Sequence, residues 1–251
     1  MKLVDDTLIV MVRELRPTLR DPFSPVFSLG QPLVFLGLYG PLLGSVTGVG
    51  EGSPWQWFMP GILVMVGLFS TSMVGSNLLY EMQTGAHERL LVTPLSRSAL
   101  IVGRALKELV PLAVQAVVIV LALLPIGFRL YPLGAALGLL ILIVFGVGLG
   151  ALSYALALAV RRQEWLFWAV QQTLTFPLLI LSGVLLPLEG APRWMQAASR
   201  LNPLTPIVAA ERALFAGELG DPAVAAGVLT AALVALTGLA VGTVMMRRAS
   251  A

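Results

Sequence analysis

Six long apolar runs free of Asp, Glu, Lys and Arg divide the chain, at residues 25–49, 57–79, 109–128, 133–160, 165–187 and 222–246. A helix needs about 20 consecutive apolar residues to span ~30 Å of hydrocarbon, and every run meets that length. The fourth, at 133–160, is long enough to tilt. Hydrophobic residues make up 57% of the sequence and charged residues 12%, against ~25% charged in soluble domains. The composition therefore places the chain in the membrane class. No internal repeat and no Gly/Ser- or Pro-rich linker interrupts it, so residues 1–251 read as one membrane domain.

The spacing of charge sets a topology. With the N-terminus in the cytoplasm, the inner segments hold Lys2, Arg13, Arg16, Arg20, Arg89, Arg97, Arg104, Lys107, Arg161, Arg162, Arg247 and Arg248, twelve of the 16 basic residues. The outer segments keep Arg129, Arg193, Arg200 and Arg212. This bias in short loops predicts six spans with both termini cytoplasmic. Trp55, Trp57 and Trp165 fall at span ends, where amphipathic rings favour the interface. The expected fold class is an all-α polytopic membrane protein with six transmembrane helices.

Residues 1–24 mix acidic and basic side chains with apolar ones and lack the pattern of a cleaved signal, so this segment is expected to be retained. Val4, Leu8, Met11, Val12, Leu15 and Leu19 recur at helical spacing, with Arg13, Arg16 and Arg20 toward another face. They predict an interfacial helix lying along the membrane, the alternative being a solvated helix packed on another domain. Small residues at four-residue spacing, Gly40, Gly44 and Gly48 in the first run and the pairs Gly134/Gly138 and Gly146/Gly150 in the fourth, suit close helix approach.

Several chemistries are excluded or disfavoured. There is no cysteine, which removes disulfides and thiolate metal sites. His87 has no second His or Cys at ligand spacing, so no metal site is expected. The net charge of +3 is dispersed, with no basic stripe interleaved with aromatics, and no nucleic-acid partner is expected. No charge lies in the centre of any run, which argues against an ion-coupled transporter, an intramembrane protease or a transferase. Ser72, Ser76, Asn77, Gln171, Gln172 and Thr175 place polar groups within predicted spans. They are candidates either for a substrate path or for helix contacts.

The long polar and basic stretch between two apolar runs is 81–108. Residues 81–93 predict a short helix of ~20 Å, ended by Pro94. Ser96 can cap the next helix, whose Arg104 and Glu108 stand at i and i+4 and are placed to pair. A helix offering Met82, Leu90 and Leu91 amid Glu81, His87, Glu88 and Arg89 suits insertion into a partner's cleft, although a solvated loop is the simpler alternative. Farther on, residues 188–221 contain two short helical segments separated by Asn202-Pro203 and Pro206, too short to cross a bilayer.

The run HERLLVTPLSRSALIVGRALKELV from His87 to Val110 and the later LNPLTP from Leu201 to Pro206 resemble the permease subunits of ABC-2-type exporters, the group containing daunorubicin-resistance and nodulation-factor permeases. The resemblance covers nearly the whole chain. It implies that 81–93 is a coupling helix, with Glu88, Arg89, Leu90, Leu91, Thr93, Pro94, Leu95 and Ser96 matching the family's motif. Glu81-Met82-Gln83 stand where relatives carry a longer run of charges. It also implies that 188–221 is an external re-entrant hairpin framing the exit.

No phosphate-binding loop occurs in the chain, so this subunit is expected not to be an enzyme and to bind no cofactor. ATP and Mg would be bound by a separate ABC ATPase, present in two copies. The resemblance further implies a second permease, expected to be a copy of this chain, in the plasma membrane of a prokaryote. The implied function is export of a drug-like, lipid-like or amphipathic substrate. Export of a polysaccharide or glycolipid and a non-transporting role in membrane assembly stand as alternatives.

Overall fold

The computed structural model describes residues 2–20, 23–43, 54–72, 74–85, 97–107, 109–161 and 163–249. Among them the architecture is wholly helical. The helices are α1 (Lys2–Arg20), α2 (Phe23–Leu43), α3 (Pro54–Ser72), α4 (Val74–Gln83), α5 (Arg97–Lys107), α6 (Leu109–Leu123), α7 (Pro132–Ala159), α8 (Glu164–Ile180), α9 (Arg193–Leu201), α10 (Leu204–Ala216) and α11 (Pro222–Ala249). A short 3-10 turn, Leu124–Ile126, follows α6 and closes on Gly127 at φ 90°, a left-handed position that glycine fills without Cβ strain.

Three stretches are long and apolar enough to cross a membrane: Trp55–Gln83, Pro132–Ala159 and Pro222–Arg248, with Val110–Leu123 a shorter apolar helix. These describe a helical membrane protein. α3 is the central element. Its stretch is 76% buried within the chain, whereas that of α11 is 17% buried. Phe58, Met59, Ile62, Leu63, Val64 and Met65 of α3 lie in one core with Leu112 and Ile119 of α6, Leu142 and Phe145 of α7, and Ile207 and Leu214 of α10. Val228, Leu229, Leu233, Leu236, Val241 and Val244 of α11 face outward. An apolar surface of that extent is stable against hydrocarbon and not against water.

Glycines set the closest approaches. A Cβ on Gly148 of α7 would lie 2.5 Å from the Val234 carbonyl carbon and 2.6 Å from Ala235 Cα of α11, and one on Gly238 would strike the Gly148 carbonyl. The two long helices thus touch backbone to backbone. Of the glycine pairs singled out by spacing, Gly134 and Gly138 meet Leu214 and Glu211 of α10, and Gly146 meets Thr71; around Gly150 there is open space. Gly44 and Gly48 lie outside the described residues.

Candidate functional site

α1 packs on α5, and what it buries differs from the apolar face read from the sequence. Asp6, Thr7 and Val10 are buried while Val4, Leu8, Ile9 and Val12 are exposed. Gly103 of α5 permits the contact, since a Cβ there would lie 2.8 Å from the Thr7 carbonyl and from Val10 Cβ. The helix therefore turns its more polar side to the protein and offers an apolar stripe outward.

Arg104 of α5 is the centre of an ion cluster. Its side chain is 2% exposed, and Nη2 donates to the Glu81 carboxylate at the end of α4. Nε lies 3.6 Å from Glu14 of α1, and Lys107 Nζ lies 3.9 Å from the same carboxylate. The guanidinium also stands 5.8 Å from the ring centre of Tyr154 in α7. One side chain therefore joins α1, α4, α5 and α7. The partner expected for Arg104 from helical spacing, Glu108, lies outside the described residues.

Of the predicted docking residues, Glu81 and Met82 form the last turn of α4, in one helix with Leu78 and Leu79, and a turn at Thr84–Gly85 follows. Glu81 is 22% exposed and ion-paired. His87, Glu88, Arg89, Leu90, Leu91 and Thr93 lie outside the described residues, as does most of the predicted helix 81–93.

The polar residues expected within spans divide. Ser72, Gln171 and Thr175 are buried, whereas Asn77 and Gln172 are exposed and Ser76 is half-buried. The Ser72 carbonyl accepts from both Gln171 Nε2 of α8 and Ser153 Oγ of α7, and Ser153 Oγ accepts in turn from Gly75 N at 2.9 Å. Ser72 and Gln171 are thus brought together as a helix contact that satisfies backbone groups in an apolar setting.

The opposite end of the bundle is tied by groups that local spacing does not predict. The Gln56 amide donates to the carbonyls of Arg129 and Phe215 and accepts from Arg129 N at 3.0 Å. Arg212 of α10 donates to the Gly183, Val184 and Trp57 carbonyls at 2.7, 3.4 and 3.3 Å, and its guanidinium stacks 3.7 Å from the Trp57 ring centre. Its neighbour Glu211 is fully buried, with neither carboxyl oxygen hydrogen-bonded among the described residues. Gly138 makes room for it. Arg212→Met should lower stability by about 2 kcal/mol, since hydrogen bonds to charged groups contribute ~1.5–3 kcal/mol. Thermal unfolding of the solubilised chain would measure this, and an unchanged midpoint would refute the clamp.

Helices held by backbone contacts and an outward apolar surface define a multi-pass membrane protein. The profile of the ABC-2 type transporter family matches residues 6–216. The chain is 26% identical over 219 residues to the daunorubicin resistance ABC transporter permease protein DrrB1 of Streptomyces coeruleorubidus, covering 86% of this chain and 77% of that protein. It is 32% identical over 215 residues to the putative transport permease ycf38 of Cyanophora paradoxa, covering 83% and 73%. A shorter match, 26% over 156 residues, joins it to the probable multidrug ABC transporter permease YbhR of Escherichia coli K12, covering 60% of this chain and 41% of that protein. The chain belongs to the ABC-2 type transporter family, as a permease component whose family works with an ABC ATPase.

Proposed function

We propose that this chain is the membrane half of an ATP-driven exporter: six spans with both termini cytoplasmic, paired with a second copy of itself and with two ATPase subunits that bind ATP and Mg. The family match over residues 6–216 carries this reading. The bias of basic residues supports the topology, and the outward apolar stripe of α1 suits a helix lying in the membrane interface. α10 runs along α7 with Leu214 at Gly134 and Glu211 at Gly138, which supports a hairpin at 188–221 that re-enters the membrane from outside. Its two helices bond their own backbone, and Gln56 takes the Phe215 carbonyl, as burial in hydrocarbon demands.

In this reading, residues 81–93 receive the closure of the ATPase dimer. Glu88 and Arg89 dock, with His87 and Thr93 beside them, and Leu90 and Leu91 anchor. Glu81 and Met82 carry the motion into α4. Coupling requires that the two nucleotide states engage this segment differently. The Arg104 cluster would pass the displacement to α1, α5 and α7. The cargo is drug-like, lipid-like or amphipathic, the membrane is a prokaryotic plasma membrane, and Ser76, Asn77, Gln172 and Thr175 are candidates for its path.

The test is ATP hydrolysis by the full chain co-purified with an ABC ATPase encoded beside it. Wild type should form a stable complex, and the chain alone should be inactive. Glu88→Ala with Arg89→Ala should weaken association about tenfold, equivalent to ~1.4 kcal/mol. Unaltered assembly and turnover in that variant would remove the docking assignment, and failure to associate at all would remove the exporter reading.

A further inference from the structure

A cleft of about 380 Å³ opens between α7, the junction of α9 and α10, and α11. Leu152, Leu233 and Val234 form its apolar wall, and Arg200, Thr230 and Thr237 contribute polar groups. Thr230 and Thr237 stand roughly two and four turns into α11, so the cleft faces the length of the helix that must lie in hydrocarbon. Leu201, Leu229 and Leu233, exposed on the same side, leave it open laterally.

Arg200 is exposed on the last turn of α9, and among the described residues it forms no hydrogen bond or ion pair. By contrast, Arg104 and Arg212 are both paired or clamped. The α9–α10 junction is tied to α8: Asn202 Nδ2 donates to the Leu178 carbonyl of α8 at 2.7 Å, and its Oδ1 accepts from Leu204 N. The cation stands at one corner of the cleft. A guanidinium at the margin of hydrocarbon is unfavourable until an anion joins it, and its planar fork suits two oxygens of one phosphate.

We propose that this cleft binds an anionic phospholipid of the outer leaflet. Arg200 takes the phosphate, and an acyl chain lies along Leu233, Val234 and Leu152. The charge complementarity fixes the head, and the apolar wall below it fixes the tail. The assignment to the outer leaflet rests on the topology proposed above, whereas binding of the lipid itself does not require that the chain export anything.

The experiment uses the full chain in mixed micelles of phosphatidylglycerol and phosphatidylcholine with matched acyl chains, with retained lipid counted by native mass spectrometry. Wild type should keep phosphatidylglycerol in preference to phosphatidylcholine. Arg200→Gln should cut that retention about tenfold, while Arg193→Gln, an exposed arginine on the same helix, should leave it unchanged. Leu233→Trp, which fills the cleft from its apolar wall, should reduce retention with the cation intact. Equal retention by wild type and Arg200→Gln would overturn the proposal. So would full competition by inorganic phosphate, which would mark a simple anion site, or loss of a dimer in Arg200→Gln at unchanged lipid content, which would assign the cation to a second copy. ATPase association measured on the same preparations separates the two readings: lipid retained without any ATPase partner would leave the cleft standing and remove the exporter.

Discussion

Arg104→Met is expected to free α1 from the bundle and to lower stability by about 3–5 kcal/mol, the usual result of removing one partner from a buried ion pair. The size follows from what remains behind. Glu81 and Glu14, at 22% and 11% exposure, would face one another's helices without their shared cation, with Lys107 and the more exposed Arg13, each 3.9 Å from Glu14, as the remaining positive groups. Arg104→Lys should recover little, because one ammonium cannot present the separate donors that reach two carboxylates on different helices. Replacing Arg104, Glu81 and Glu14 together by Leu should restore stability, since a buried ionic cluster exchanged for apolar groups of similar volume is often neutral or stabilising. Thermal unfolding of the solubilised chain, followed by proteolysis of α1, would measure all three. A single Arg104→Met variant as stable as wild type would show that α1 is held by Thr7 and Val10 alone.

Gly238→Val is expected to separate α7 from α11 and to cost at least the ~1–3 kcal/mol typical of an overpacked core. Its Cβ would point at the Gly148 carbonyl, and backbone cannot rotate away as a side chain can. Gly150→Ala is the matched control, because nothing lies within 4 Å of the position of its added carbon. The yield of monodisperse protein after detergent extraction should fall sharply for the first variant and stay level for the second. Equal yields would mean that the two helices are not seated on these glycines.

These two sites also mark how far the sequence could be read. Apolar runs without charge dictate helices because a buried backbone must satisfy its own polar groups, and the helices at Pro132–Ala159 and Pro222–Ala249 follow from that alone. Periodicity in α1 showed that the helix is amphipathic. It did not show which side meets the protein, because Asp6 and Glu14 find their place only once α5 is present. Spacing singles out the glycines at 134 and 138, and Gly134 does meet the Leu214 backbone, yet Gly148 and Gly238 make an equally close crossing, and no local pattern links residues on helices so far apart. Helical register pairs Arg104 with Glu108, whereas the described partners are 23 and 90 residues away. The sequence places Glu211 in a short helical segment outside the six runs, and nothing local shows that it is buried. Its one local signal is the Glu211–Arg212 pair of charges in a mostly apolar stretch from Leu204 to Phe215.

The contrast between the two kinds of helix contact bears on where the molecule can move. α7 meets α10 at Gly134 and α11 at Gly148 and Gly238, and Gly227 of α11 meets Ala210 and the Pro206 carbonyl of α10; contacts of glycine against backbone have no rotamer to change, so these three are expected to travel as a single rigid body. α8 is attached differently, by the Gln171 amide to Ser72 and by the Asn202 amide to the Leu178 carbonyl. Amide–carbonyl bonds can be exchanged for neighbouring carbonyls one step along a helix. A sliding joint therefore belongs at α8, and labels placed on α7 and α11 should hold a constant separation while a label on α8 changes its distance to both.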